Sequence, residues 1–187
     1  MRAIFSILLL IHMITCAAQE NKEIVNRNGF FIGVGLGAGA LSLSKNDTNQ
    51  VSFSTTLPNI KMGYMLNKKL AILALLPGSN YKHEGKNRGF EAIIIAGQYW
   101  IKDNWWMLGG TGLTFDAPAF YTVTDPKTAG FYTGIPAFTF ITGYEVWQNG
   151  RFALDLQYRI FFGKSNLPNK GYRDGVSNMF IVGFNWY

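Results

Sequence analysis

Cysteine is almost missing from this chain: of 187 residues one is Cys, at position 16, so no intramolecular disulfide can form. Charge is sparse too. Asp, Glu, Lys and Arg make up 15% of the sequence, and the formal balance of +6 is dispersed among Phe, Tyr and Gly rather than gathered into runs. A disordered tail and a nucleic-acid partner are therefore not expected. After residue 18 no apolar run approaches the ~18 residues a spanning helix needs; the longest are Leu70–Leu76 and 92–96. A mature chain in a membrane would have to cross it with strands. Histidine is limited to His12 and His83, which with the lone Cys leaves no metal-ligand spacing, and no cofactor is expected.

Plentiful instead are 21 Gly, 15 Phe, 9 Tyr and 5 Trp, residues that favour strands and turns. The length suits one domain. The start reads as a cleaved secretory signal over residues 1–18: Met1-Arg2, then apolar Phe5, Leu8, Leu9, Leu10 and Ile11, then small Cys16-Ala17-Ala18. Residues 19–187 would form the mature domain. An acylated Cys16 is a poorer reading, because Thr15 stands where Gly, Ala or Ser is usual.

From Gly29 onward eight apolar, often alternating segments follow, at 29–43, 52–66, 70–77, 90–101, 105–115, 131–147, 151–163 and 175–187. Connections at 67–69, 102–104 and 148–150 are tight turns, whereas 44–51, 78–89, 116–130 and 164–174 are longer and polar. Both termini then lie at the short-turn end. The clearest alternation sets Phe152, Leu154, Leu156, Tyr158, Ile160 and Phe162 against Ala153, Asp155, Gln157, Arg159 and Phe161. Likewise Phe30, Ile32, Val34 and Leu36 oppose Gly33, Gly35, Gly37 and Gly39, and Met62 and Tyr64 oppose Asn59, Lys61 and Gly63. Segment 90–101 fits neither register well, since Ile93, Ile94 and Ile95 are consecutive near Glu91, and a bulge is expected there.

Alternation does not say which face meets water. Trp100, Trp105, Trp106, Trp147 and Trp186 all fall beside short turns or at the last strand's end. An indole prefers a hydrocarbon–water boundary, so these five are expected to form a membrane-interface girdle, with the apolar faces turned to lipid. Phe115, Tyr121, Phe131, Tyr132, Phe162 and Tyr172 would supply the opposite one. The polar faces then point inward, and Lys61, Glu145, Asp155, Gln157 and Arg159 are expected to form a lumenal polar network, as a plug or a narrow gate for water and small ions. A three-residue turn Gln148-Asn149-Gly150 predicts that Glu145 opposes Ala153, Gly143 opposes Asp155 and Arg159 opposes Thr139.

The chain at this point resembles the small eight-stranded outer-membrane β-barrel proteins of Gram-negative bacteria, the OmpA membrane-domain and OmpW-like class. The resemblance rests on the export signal, the eight alternating segments, the long-short connections and the ending Met179-Phe180-Ile181-Val182-Gly183-Phe184-Asn185-Trp186-Tyr187. It implies an all-β, antiparallel up-and-down transmembrane barrel in the cell outer membrane, with termini and short turns periplasmic. It also implies that Phe180, Val182, Phe184, Trp186 and Tyr187 form a C-terminal targeting strand presented to the outer-membrane assembly machinery.

The expected partners are outer-membrane lipids and lipopolysaccharide, whose phosphates would meet Lys82, Lys86, Arg88, Lys164, Lys170 and Arg173 in the long loops, and a monomer is expected. Segment 116–130, with Pro118, Phe120, Tyr121 and Pro126, is a candidate contact surface. Catalysis is not expected. The mature chain's histidine, His83, is followed two residues on by Gly85, where the lipid A deacylases of this class carry Ser. The glycines of Gly33-Val34-Gly35-Leu36-Gly37 alternate along a strand with no helix after them, so they are not a phosphate loop. The function expected is a structural or narrowly gated small-solute pore with loops able to bind; the alternatives are a soluble lipocalin-like carrier and a lipid-modifying enzyme.

Overall fold

The computed structural model describes residues 25–45, 48–56, 59–83, 85–121, 130–168 and 171–187. The expected leader, with Cys16, and also Glu84, Pro126 and Lys170, lie outside them. The described strands are β1 (Gly29–Lys45), β2 (Thr48–Thr55), β3 (Asn59–Asn67), β4 (Leu70–Leu76), β5 (Gly78–His83), β6 (Lys86–Trp100), β7 (Trp105–Pro118), β8 (Tyr132–Asn149), β9 (Phe152–Asn166) and β10 (Tyr172–Trp186). Each pairs antiparallel with its neighbours, and β1 returns to pair with β10 from Ile32↔Trp186 to Lys45↔Arg173, closing the sheet. β2 prolongs the stave of β3, and β5 prolongs that of β4 past Pro77, so the ring has eight staves. A break at Pro77 follows from its missing N–H, while its carbonyl still accepts from Ala92 N at 2.9 Å. In the outer half, the chain just after β2 meets β5 through a bridge, Thr56↔Ser79, and β2 itself through Ser54 Oγ donating to the Asn80 carbonyl at 2.6 Å.

The strands outrun the apolar segments at the long-loop end. Segments 44–51 and 78–89 are not long loops: β1 runs to Lys45, which pairs with Thr48 of β2, and β5 runs to His83, which pairs with Lys86 of β6. A backbone ladder needs no apolar side chain, so it continues into water past the hydrocarbon band, and β8 reaches 18 residues where ~9–11 suffice to span. β7 likewise continues to Pro118 before a single 3-10 turn, Ala119–Tyr121.

The bulge expected in segment 90–101 is absent, since β6 pairs without interruption from Arg88↔Pro118 to Trp100↔Trp106. Ile94 packs inside, while Ile93 and Ile95 face out. Bulges lie instead in β8, at Ile135-Pro136 and at Val146, and in β3 at Leu66.

Large apolar side chains cover the exterior, among them Ile32, Val34, Leu36, Ile95, Leu156 and Val182, while Lys61, Asp155 and Arg159 are buried within. That wall is stable only against lipid, and the inside-out arrangement excludes the soluble lipocalin-like carrier, which would need the reverse.

Candidate functional site

Alternation along β8, β9 and β10 sends every second side chain into the lumen, where they stack in layers. At the short-turn end Glu145 is enclosed by donors from four places. Its Oε2 accepts from Arg27 Nη2 at 2.5 Å and Gln148 Nε2 at 2.6 Å; its Oε1 accepts from Tyr187 OH at 2.7 Å and Trp100 Nε1 at 3.1 Å. The Arg27 guanidinium also lies over the rings of Trp100 and Tyr187, 4.8 and 5.6 Å from their centroids.

The next layer centres on Asp155, which accepts from Gln157 Nε2 at 2.7 Å and Asn185 Nδ2 at 2.9 Å. Lys61 Nζ stands 4.0 Å from its carboxylate, 3.4 Å from Gln98 Oε1 and 4.4 Å from the Trp106 ring centroid. Arg159 donates to Asn59 Oδ1 and, at 3.2 Å, to the Gly78 carbonyl. Bulky side chains fit because their neighbours are glycine: a Cβ at Gly143 would overlap the Trp106 indole, and one at Gly183 would overlap Asp155 and Gln157. The opening left in this layer measures about 10 Å³, room for one water.

Above it Phe90 and Phe161 pack with ring centroids 5.7 Å apart. At the long-loop end the third ionic layer gathers around Asp116, which accepts from Arg88 Nε at 2.8 Å, Tyr81 OH at 2.7 Å, and Arg173 Nη1. Arg88 Nη2 also donates to the Gly130 carbonyl at 2.7 Å, which ties the chain entering β8 to the rim.

The expected lumenal residues Lys61, Glu145, Asp155 and Arg159 are thus all buried inside, with Gln157 half-buried beside Asp155. Their register differs from the expectation. Glu145 opposes Asp155, Gly143 opposes Gln157 and Ile141 opposes Arg159, because the β8–β9 turn holds two residues, with Gly150 at φ 57°, and Val146 is a bulge. The opposed carboxylates are separated by their own partners, Arg27 for one and Lys61 for the other.

The girdle of five tryptophans is corrected. Trp100 and Trp106 are 1% and 0% exposed and point inward, where the Trp106 indole fills the space over Gly143 and the Trp100 indole packs edge-on to Tyr187, while Trp105 and Trp147 are 38% and 45% exposed on the outer wall. Trp186, half-buried, shares their side and lies under the Arg151 guanidinium. Tyr64, Tyr99 and Tyr144 complete that outward belt. Toward the other rim, Phe131, Phe162 and Tyr172 are exposed, Phe115 is half-buried against Phe131, and Tyr132 faces Arg88 at the lumen mouth. In the last strand Phe180, Val182 and Phe184 face outward, whereas Tyr187 turns in to Glu145.

Arg88 and Arg173 are corrected likewise: both are buried around Asp116, so neither faces lipopolysaccharide phosphates. Sequence reasoning missed Asp116, Tyr81 and Arg27 as lumenal. Phe120 is exposed, and His83 ends β5 opposite Lys86. Among the described residues no group of three His, Cys, Asp or Glu side chains is placed to hold a metal ion.

Neither a family model nor a curated protein sequence matches the chain. Solved structures do. Neisserial surface protein A is 19% identical, with a TM-score of 0.57 over 85% of this chain and 97% of that one. Ail, the attachment invasion locus protein of Yersinia pestis, solved with the heparin analogue sucrose octasulfate, is 11% identical, with a TM-score of 0.52 over 84% and 99%. The fold is therefore that of the small eight-stranded outer-membrane β-barrels. With its apolar wall and aromatic belt, the protein belongs in the outer membrane, where barrels of this build reside.

Proposed function

We propose that this protein is a closed outer-membrane barrel that conducts no solute and serves as a rigid membrane anchor for its loop-end surface. The observation that carries this reading is the filled lumen. Three ionic layers and the Phe90–Phe161 pair occupy it, and the middle opening of about 10 Å³ admits a single water rather than a file of them. On the outer rim, Lys82 is exposed, Lys86 is half-buried beside it, and Lys164 Nζ lies 4.0 Å from the Tyr172 ring centroid. These amines suit the phosphates of anionic outer-leaflet lipid, and Phe120 adds an apolar contact beside them. The protein acts as a monomer and is not an enzyme in this reading.

Single-channel recording of the refolded protein in a planar bilayer tests it. A silent bilayer, with insertion verified by heat-modifiable gel migration, is expected for the wild type. Discrete steps that change when Glu145→Ala is combined with Asp155→Ala would instead make the protein a small pore gated by its lumenal charges.

A further inference from the structure

Most buried ions of the lumen have a partner of opposite charge, and one does not. Arg27 pairs with Glu145, Arg88 and Arg173 share Asp116, and Lys61 faces Asp155. Arg159 is 0% exposed, and among the described residues no carboxylate lies within salt-bridge reach of it; its partners are an amide oxygen and a backbone carbonyl. A guanidinium buried without a counter-ion is costly in any low-dielectric interior.

The middle opening adjoins this cation. Asn59, Lys61, Trp106, Gln157 and Arg159 line it. Three of them carry a buried N–H with no acceptor in the protein: Arg159 Nε, Asn59 Nδ2 and Trp106 Nε1. Lys61 adds a second cation, and the layer's one carboxylate, Asp155, is already met by Lys61, Gln157 and Asn185. The opening is thus surrounded by surplus donors and by one uncompensated positive charge.

We propose that this opening is a binding site for a single monatomic anion of chloride size. A water there has two lone pairs to offer and no charge, whereas a halide accepts from several donors at once and supplies the negative charge that Arg159 lacks. The opening has room for about one water, so a monatomic anion, only slightly wider than water and with no substituents to place, is the anion that asks least movement of the lining. The bound ion is a structural counter-ion of the middle layer. The site is independent of whether the barrel conducts, because its donors and its unpaired charge belong to the middle layer alone.

Crystals of the refolded chain grown in sodium bromide, with data collected at the bromine absorption edge, test this directly. One anomalous peak bounded by Arg159, Asn59 and Trp106 is expected. The second measurement is the thermal unfolding midpoint in detergent micelles at constant ionic strength, with chloride exchanged for isethionate, which is too large to enter. Chloride is expected to raise the midpoint, with the folded-to-unfolded ratio increasing about a hundredfold when its concentration is a hundred times the Kd. In Arg159→Met, which keeps the side chain's length without its charge, the halide dependence should vanish. A water-sized peak with no anomalous signal, or midpoints that coincide in the two salts, overturns the proposal. So does an Arg159→Met protein that folds and keeps the full chloride dependence, and if that variant does not fold, the wild-type crystal and salt series still decide.

Discussion

Replacing Glu145 by Ala should destabilise the barrel by about 3–5 kcal/mol, the loss found when one partner of a buried ion pair is removed. The structure shows where the loss arises. Four donors converge on this carboxylate, and two of them, Trp100 Nε1 and Tyr187 OH, belong to side chains with almost no exposure and no other acceptor among the described residues. Each stranded donor costs about 1–3 kcal/mol. Arg27 keeps the Asp103 carbonyl, at 2.5 Å, and the two aromatic faces; Gln148 keeps the same carbonyl at 3.2 Å. These remaining contacts hold the total within the range rather than above it. Urea unfolding in detergent micelles, followed by tryptophan fluorescence and by the heat-modifiable gel shift, gives the free energy. A double-mutant cycle with Arg27→Met isolates the pair: Arg27→Met should cost far less in the Glu145→Ala background than alone. A Glu145→Ala barrel within about 0.5 kcal/mol of wild type, or a cycle with no coupling, would refute the reasoning, since either places this carboxylate in water.

Asp116→Asn should cost about 3–5 kcal/mol in the same assay, because Arg88 and Arg173 then share no anion, and adding Arg88→Met should recover part of the loss. Gly37→Ala should destabilise by about 1–3 kcal/mol, since a Cβ there would run into the Phe180 carbonyl at the β1–β10 closure, while Gly97→Ala, with open space around its Cβ, should be neutral. In single-tryptophan variants, brominated acyl chains should quench Trp105, Trp147 and Trp186 and leave Trp100 and Trp106 bright; equal quenching of all five would reverse the assignment of the inner pair.

Side-chain parity was the most legible part of the structure. The alternation in 151–163 reads directly as Asp155 and Arg159 inside and Leu156 and Ile160 outside, because lipid and lumen differ in polarity and a strand has a period of two. Register was less legible. The two-residue turn moves the β8–β9 pairing by three positions and the Val146 bulge takes one back, which leaves Glu145 two positions from the expected partner, and neither change leaves a mark on composition. The inner tryptophans were hidden for another reason. An indole beside a tight turn satisfies a membrane boundary or a glycine-floored cavity equally well, and only cross-strand glycines such as Gly143 tell them apart. Arg88, Asp116 and Arg173 sit in polar stretches that read as loops, because the apolar signal ends with the hydrocarbon band while the ladder goes on.

The shell around Glu145 also bears on assembly. Its donors come from just ahead of the first strand, from the β6–β7 end, from β8 itself and from the residue after β10, so no shorter set of neighbouring hairpins can complete it. Such long-range closure comes late in folding, after the local hairpins have formed. Until β10 docks on β1, this carboxylate stays at the short-turn end with its full ligand set unmade. The ionic layer thereby acts as a latch completed only on a finished ring, and a barrel stalled one strand short makes only part of it.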